Sequence, residues 1–151
     1  MVLDTNVVLD LFVFRDPGVA PIAAAIGSGA AVPVTSHACI EELRRALAYP
    51  QLGLDAPAQS AALERFMAQT TLCDFAALSV PVEMPRCTDT DDQKFLELAW
   101  HSNARCLVTK DKALLRLARA VAKLGRFRVL KPETFERYFE ETRLQSPTQL
   151  P

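Results

Sequence analysis

Two short apolar runs in this chain each end on a carboxylate and pass directly into a helical pattern. Met1-Val2-Leu3 stops at Asp4, and Val7, Val8, Leu11 and Phe12 then recur at helical intervals. Cys106-Leu107-Val108 stops at Thr109-Lys110-Asp111, and Ala113, Leu114, Leu117, Ala118 and Val121 follow at the same period. Runs this short and apolar read as buried strands rather than helices. Strands separated by helices pair in parallel, because parallel pairing needs a crossover. Strand, acid, helix, twice over, therefore predicts an α/β chain. The expected architecture is a three-layer α/β/α sandwich around a central, mostly parallel, short-stranded sheet.

The stretches between extend the pattern. The first helix is expected to end near Arg15 and Asp16, ahead of Pro17 and Gly18. Residues 19–26 read as an alanine-rich second helix closed by Gly27, Ser28 and Gly29. Residues 31–34 read as a small strand, with Pro33 marking an edge or irregular position. Thr35 and Ser36 open a helix to about Ala48, with Ser36 as its cap and Cys39, Leu43 and Leu47 as one apolar stripe. Residues 49–57 read as a loop and 58–69 as a helix; 72–73 and 79–82 are short extended pieces at most. Phe95, Leu96, Leu98, Ala99 and Trp100 belong to an amphipathic helix. Gly125 closes the helix that follows Asp111, residues 127–130 form a last strand, and Pro132 opens a terminal helix. Residues 1–142 are expected to form one domain, and the polar 143–151 a frayed tail.

Composition narrows the function. Seventeen basic and 18 acidic residues give a formal charge of −1. No overall attraction to nucleic acid follows, so such a partner must be held by a local patch or by metal ions. The start lacks a leader pattern and no run is long enough to span a bilayer, which predicts a cytoplasmic protein with no membrane partner. Cys39, Cys73, Cys87 and Cys106 have no metal-ligand spacing, and the only histidines are His37 and His101. Reduced thiols, and no structural zinc, are expected.

In an open parallel sheet the carboxyl ends of the strands share one edge, where ligands bind. Asp4 and Asp111 meet there if their strands are neighbours. Asp92 closes the run Asp89-Thr90-Asp91-Asp92 at a helix amino end and reaches the same edge. Glu42, or its neighbour Glu41, reaches it from another helix. Blander readings remain open: Asp4 as a simple helix cap, and residues 89–92 as a solvated surface run. Four acids in one cleft raise each other's pKa values unless a cation is present. Oxygen-only ligands select a hard ion, Mg2+ or Mn2+. Such an ion activates water and stabilises in-line displacement at a phosphodiester. No glycine-rich nucleotide loop is present.

Three stretches carry a family resemblance. They are Val2-Leu3-Asp4-Thr5-Asn6-Val7-Val8, Ser36 through Glu41-Glu42-Leu43, and Asp89-Thr90-Asp91-Asp92 continued by Cys106-Leu107-Val108-Thr109-Lys110-Asp111. With Lys131-Pro132-Glu133-Thr134-Phe135 they reach from position 1 to about 140. The chain resembles the PIN domain ribonucleases, in particular the toxin components of bacterial toxin–antitoxin pairs. The resemblance implies a PIN-like fold and an acidic quartet of Asp4, Glu42, Asp92 and Asp111, with Asp4 and Asp92 nearest the metal. The leucine after Glu42 favours it over Glu41. Thr5 and Asn6 would hold the loop after the first strand, and Thr109 would set the loop before Asp111. Asp89 would cap its helix or support the site from behind. Thr88-Asp89-Thr90 departs from the arginine and proline that often flank the aspartate in this branch.

The implied activity is Mg2+- or Mn2+-dependent cleavage of single-stranded or structured RNA. An antitoxin protein would be the cognate partner. Arg44 and Lys110 are the basic residues best placed for RNA phosphates. Phe12, Phe14 and the alanine-rich second helix offer a surface for a homodimer. The rivals are a metal-dependent DNA nuclease or other phosphohydrolase, and a catalytically weak PIN-fold module that binds RNA or protein.

Overall fold

Val2 and Leu3 are both buried, and they belong to two different apolar clusters on opposite faces of one sheet. That alternation is the period-2 geometry of a strand. It is repeated in the neighbouring strand, where Leu107 joins the Val2 side and Cys106 and Val108 join the Leu3 side. The structure is a computed structural model and describes residues 1–73 and 81–145.

The sheet has five strands: β1 (Val2–Leu3), β2 (Val34–Thr35), β3 (Thr71–Leu72), β4 (Cys106–Val108) and β5 (Arg128–Leu130). Their order is β3-β2-β1-β4-β5, and every pairing is parallel. Among the described residues eight α-helices accompany them: α1 (Thr5–Leu9), α2 (Ala20–Gly27), α3 (His37–Leu47), α4 (Ala56–Ala68), α5 (Gln93–His101), α6 (Lys112–Arg116), α7 (Ala118–Lys123) and α8 (Pro132–Gln145). Residues of α1, α2, α4 and α8 pack with Leu3 and Val108, and those of α5, α6 and α7 pack with Val2 and Leu107. The α/β reading with a parallel sheet flanked by helices therefore holds. Burial of each fully enclosed Val, Leu or Phe contributes about 1.5–3 kcal/mol. The chain runs from β1 outwards through β2 to β3, then returns to β4 on the other side of β1. The crevice between β1 and β4 is thus a topological switch point.

Local structure departs from the sequence expectation in several places. The first helix is not uniform: α1 passes into a π-helical turn, Asp10–Phe14, which ends at Arg15 with φ 52°. The wider turn accompanies an edge-on contact of Phe12 with Phe66 at 5.7 Å and a hydrogen bond from Arg65 Nη2 to Phe12 O at 3.0 Å. Phe14, by contrast, is 54% exposed. The second strand is Val34–Thr35 rather than 31–34, because Pro33 offers the ladder only its carbonyl, which accepts from Thr71 N–H. Thr35 is therefore strand, and Ser36 alone caps α3, accepting from Cys39 N–H.

Residues 49–57 are not all loop. A short 3-10 turn, Pro50–Leu52, closes on Gly53 at φ 60°, where a glycine is needed. Asp55 then starts α4 two residues earlier than the spacing suggests, accepting from Ala58 N–H at 2.8 Å. Pro57 is tolerated in that first turn because its missing N–H has no helical partner there. Thr71–Leu72 is a true strand paired with β2. Of the extended piece expected at 79–82, residues 79–80 lie outside the described residues and Val82 sits in a turn. The helix after Asp111 breaks at Leu117 into α6 and α7. The terminal helix α8 continues to Gln145, three residues into the stretch read as a tail; residues 146–151 lie outside the described residues. All four cysteines are free thiols. No helix among the described residues is long and apolar enough to cross a membrane.

Candidate active site

The register of β1 against β4 decides what meets at the switch point. Leu3 pairs with Val108, and Asp4 N–H donates to Val108 O at 3.0 Å. The residues just beyond both strands are thereby side by side. Asp4 is only 3% exposed and occupies the N-cap position of α1, yet its side chain makes no cap hydrogen bond. Instead Thr109 Oγ1 donates to Asp4 Oδ2 at 2.7 Å. The same Thr109 oxygen accepts the Asp111 N–H at 2.9 Å. Thr109 is fully buried and its own N–H is held by Leu130 O. It ties the loop before Asp111 to the carboxylate of Asp4.

Asp111 is the acid that does cap a helix. Its Oδ1 accepts from Ala113 N–H at 2.6 Å and Leu114 N–H at 3.2 Å. Glu42 projects from α3 towards α1 and α5. Its Oε1 accepts from Thr5 Oγ1 at 2.5 Å, and its Oε2 is paired with the Lys94 ammonium. Thr5 begins α1 directly, so it serves Glu42 rather than a loop. Asp92 ends a 3-10 turn, Thr90–Asp92, whose cap is Asp89, accepting from Asp91 N–H at 3.0 Å.

These parts enclose a cleft of about 630 Å³. Asp4, Glu42, Asp92 and Asp111 all line it, as do Glu41 and Asp91, with Thr5 and Asn6 between them. Arg45 and Lys94 are its cations, and Tyr49 stands in its wall. The electrostatics report mutual proximity. Burial, and then the charges of Asp4, Asp111, Asp89 and Glu42, push the Asp92 carboxyl up to about 6. Burial also raises Asp4, with Glu42 and Asp111 adding to the rise and the Thr109 hydroxyl opposing it. Each acid would be relieved by a shared cation.

The donor set fits a hard divalent ion: carboxylate oxygens, with no thiol or imidazole lining the cleft. Among the described residues, no three His, Cys, Asp or Glu side chains are gathered closely enough to hold a metal as they are placed. Two of the four acids are engaged elsewhere: Glu42 by Thr5 and Lys94, and Asp111 by its own helix.

The basic residues differ from the sequence expectation. Arg44 is not among the residues lining the cleft, and it pairs at 3.3 Å with Glu41, which is. Lys110 pairs with Asp10 and lies 3.8 Å from Asp16, also outside the cleft lining. Asp89 caps its turn and does not line the cleft. Arg45 and Lys94 take the places expected of Arg44 and Lys110. Tyr49 lies outside the sequence expectation. Its signal is helical phase: positions 38, 41–42, 45 and 49 advance by three or four residues along one face.

A family model described as a PIN domain matches residues 1–113 of this chain. The match takes in all six acids that line the cleft, Asp4, Glu42, Asp92 and Asp111 among them. No curated protein and no solved structure matches the chain.

Proposed function

The chain belongs to the PIN domain family, and on that premise we propose that it is a Mg2+- or Mn2+-dependent endoribonuclease, the toxin of a toxin–antitoxin pair. Nuclease chemistry with divalent metal ions is the general property of that family. The metal-dependent part of the reading is supported by one observation: Asp4, Glu42, Asp92 and Asp111, from four separate stretches, all line one cleft at the switch point; RNA as substrate and the toxin role rest on the resemblance of those stretches. Asp4 and Asp92 hold the metal most directly in this reading, and Glu42 and Asp111 complete its shell. A bound divalent ion there supplies a water of lowered pKa and neutralises charge developing at phosphorus.

The chain's own residues do the rest. Thr109 donates to one oxygen of Asp4 and so fixes the plane of that buried carboxylate. Thr5 orients Glu42, and Lys94 balances its charge. Arg45 is the cleft cation available to a substrate phosphate, since Lys94 is held by Glu42. The expected products carry a 5′-phosphate and a 3′-hydroxyl. A cleft this acidic also accepts a basic segment, which is how a cognate antitoxin would block it.

Cleavage of defined RNA pools in Mn2+ tests the reading. Wild type is expected to cut, Asp92→Asn to lose the activity, and DNA of the same sequence to survive. Cleavage of DNA at the same rate would replace ribonuclease with a general nuclease. Intact RNA with wild type would leave a binding module.

A further inference from the structure

Helix α3 presents an ordered series of side chains to the cleft. Glu42 stands at the acidic centre, Arg45 one turn further on, and Tyr49 just past the helix end. At the helical rise, Glu42 and Tyr49 are roughly 10 Å apart along the axis. Among the described residues, neither the Arg45 nor the Tyr49 side chain has an ion pair or ring contact within the chain. Arg45 makes no ion pair among the described residues, although six carboxylates line the same cleft. Arg44, next to it, is paired. Tyr49 is 59% exposed, unlike the ring of Phe12, which packs edge-on against Phe66.

The Tyr49 backbone is nonetheless fixed. Its N–H donates to Ala46 O at 3.1 Å, its carbonyl accepts from Leu52 N–H at 3.0 Å, and Pro50 follows. A ring on such a backbone has only its two side-chain torsions to lose on binding. Acid, cation and aromatic face, in that order, match a phosphate undergoing reaction, its neighbouring phosphate and the adjoining base.

We propose that Arg45 and Tyr49 form a docking strip for unpaired RNA: Arg45 holds a phosphate next to the scissile one, and Tyr49 stacks on the base beyond it. The inference rests on the nuclease reading above and adds the two residues of this chain that dock the segment flanking the cut. Stacking on an aromatic side chain is tolerant of base identity. Bases within a duplex have both faces covered by their neighbours and cannot use the ring without being extruded.

The test is binding of a short single-stranded RNA carrying one 2-aminopurine, in Ca2+, alongside cleavage in Mn2+ and a duplex of the same sequence. Tyr49→Ala is expected to weaken single-strand binding roughly tenfold and to remove the fluorescence quench of the stacked base. Tyr49→Phe keeps both, because the ring and not the hydroxyl is used. Arg45→Gln is expected to lower the salt slope of binding by about 0.7, the value for one phosphate on a single strand. Duplex binding is expected to be unchanged in Tyr49→Ala. Wild-type affinity in Tyr49→Ala, with wild type binding and cutting RNA, would overturn the strip and leave the nuclease reading intact. A change of sedimentation in Tyr49→Ala without loss of RNA affinity would also overturn it and assign the ring to self-association. A wild-type protein that neither binds nor cuts RNA would overturn both.

Discussion

Thr109 donates its hydroxyl to Asp4 across 105 positions of sequence, at 2.7 Å, in the buried crevice where β1 and β4 end side by side. This bond sets the orientation of the most buried acid of the cleft. Removing it leaves a desolvated carboxylate short of a donor, which costs about 1–3 kcal/mol. Thr109→Val is therefore expected to lose stability of that order in urea denaturation and to lower cleavage. Thr109→Ser, which keeps the hydroxyl, is expected to recover most of both.

The pH dependence of stability has an unusual sign at this cleft. Burial and the neighbouring carboxylates push Asp92 up to about 6 in the folded chain, from an ordinary value of 3.8. Between those values the folded state binds more protons than the unfolded one, so stability contributed by Asp92 is complete below the lower value. It is lost as pH rises through the upper one. Asp4, raised by burial, acts in the same direction. Thermal melts in chelator are expected to show wild type losing ground to Asp92→Asn as pH rises from about 4 to about 7. Parallel melting curves at every pH would remove Asp92 from the linkage.

Lys94 is the internal counter-charge of Glu42. Its pair with Glu42 is largely shielded, with side chains 22% and 30% exposed. Lys94→Met leaves Glu42 as an added uncompensated charge. The variant is expected to be less stable than wild type by about 1–2 kcal/mol, the partly solvated range. It is also expected to bind Mn2+ more tightly, because no ammonium competes for Glu42. Chemical denaturation and calorimetry read the two effects separately.

The two neighbouring arginines of α3 provide an internal control. Arg44→Gln touches only the exposed pair with Glu41 and is expected to leave RNA cleavage near wild type. Arg45→Gln, from the cleft wall, is expected to raise KM while leaving kcat near wild type.

The parallel sheet and the meeting of Asp4 with Asp111 were legible because a strand that stops on an acid before a helix has one outcome when strands pair in parallel. Asp92 was legible as a helix-start acid. The choice between Arg44 and Arg45 was not, since adjacent helix positions differ by about 100° in direction and only the phase of the whole helix separates them. Anchoring that phase on Glu42 points to Arg45 and Tyr49. The strands β2 and β3 have two residues each, too few to show any period. The π-helical turn at 10–14 has no sequence mark, because it reflects tertiary packing of Phe12 and the pairing of Asp10 with Lys110. Lys110 reads in sequence as an RNA contact for the same reason: the partners that hold it lie about 100 positions upstream.

Calorimetric titration of Mn2+ into wild type, Asp4→Asn and Asp92→Asn measures the central claim directly. The cleft acids are expected to bind the ion together, so wild type shows saturable binding near neutral pH and each variant loses at least tenfold in affinity. Equal affinity in all three proteins would contradict a shared metal centre at the β1–β4 crevice.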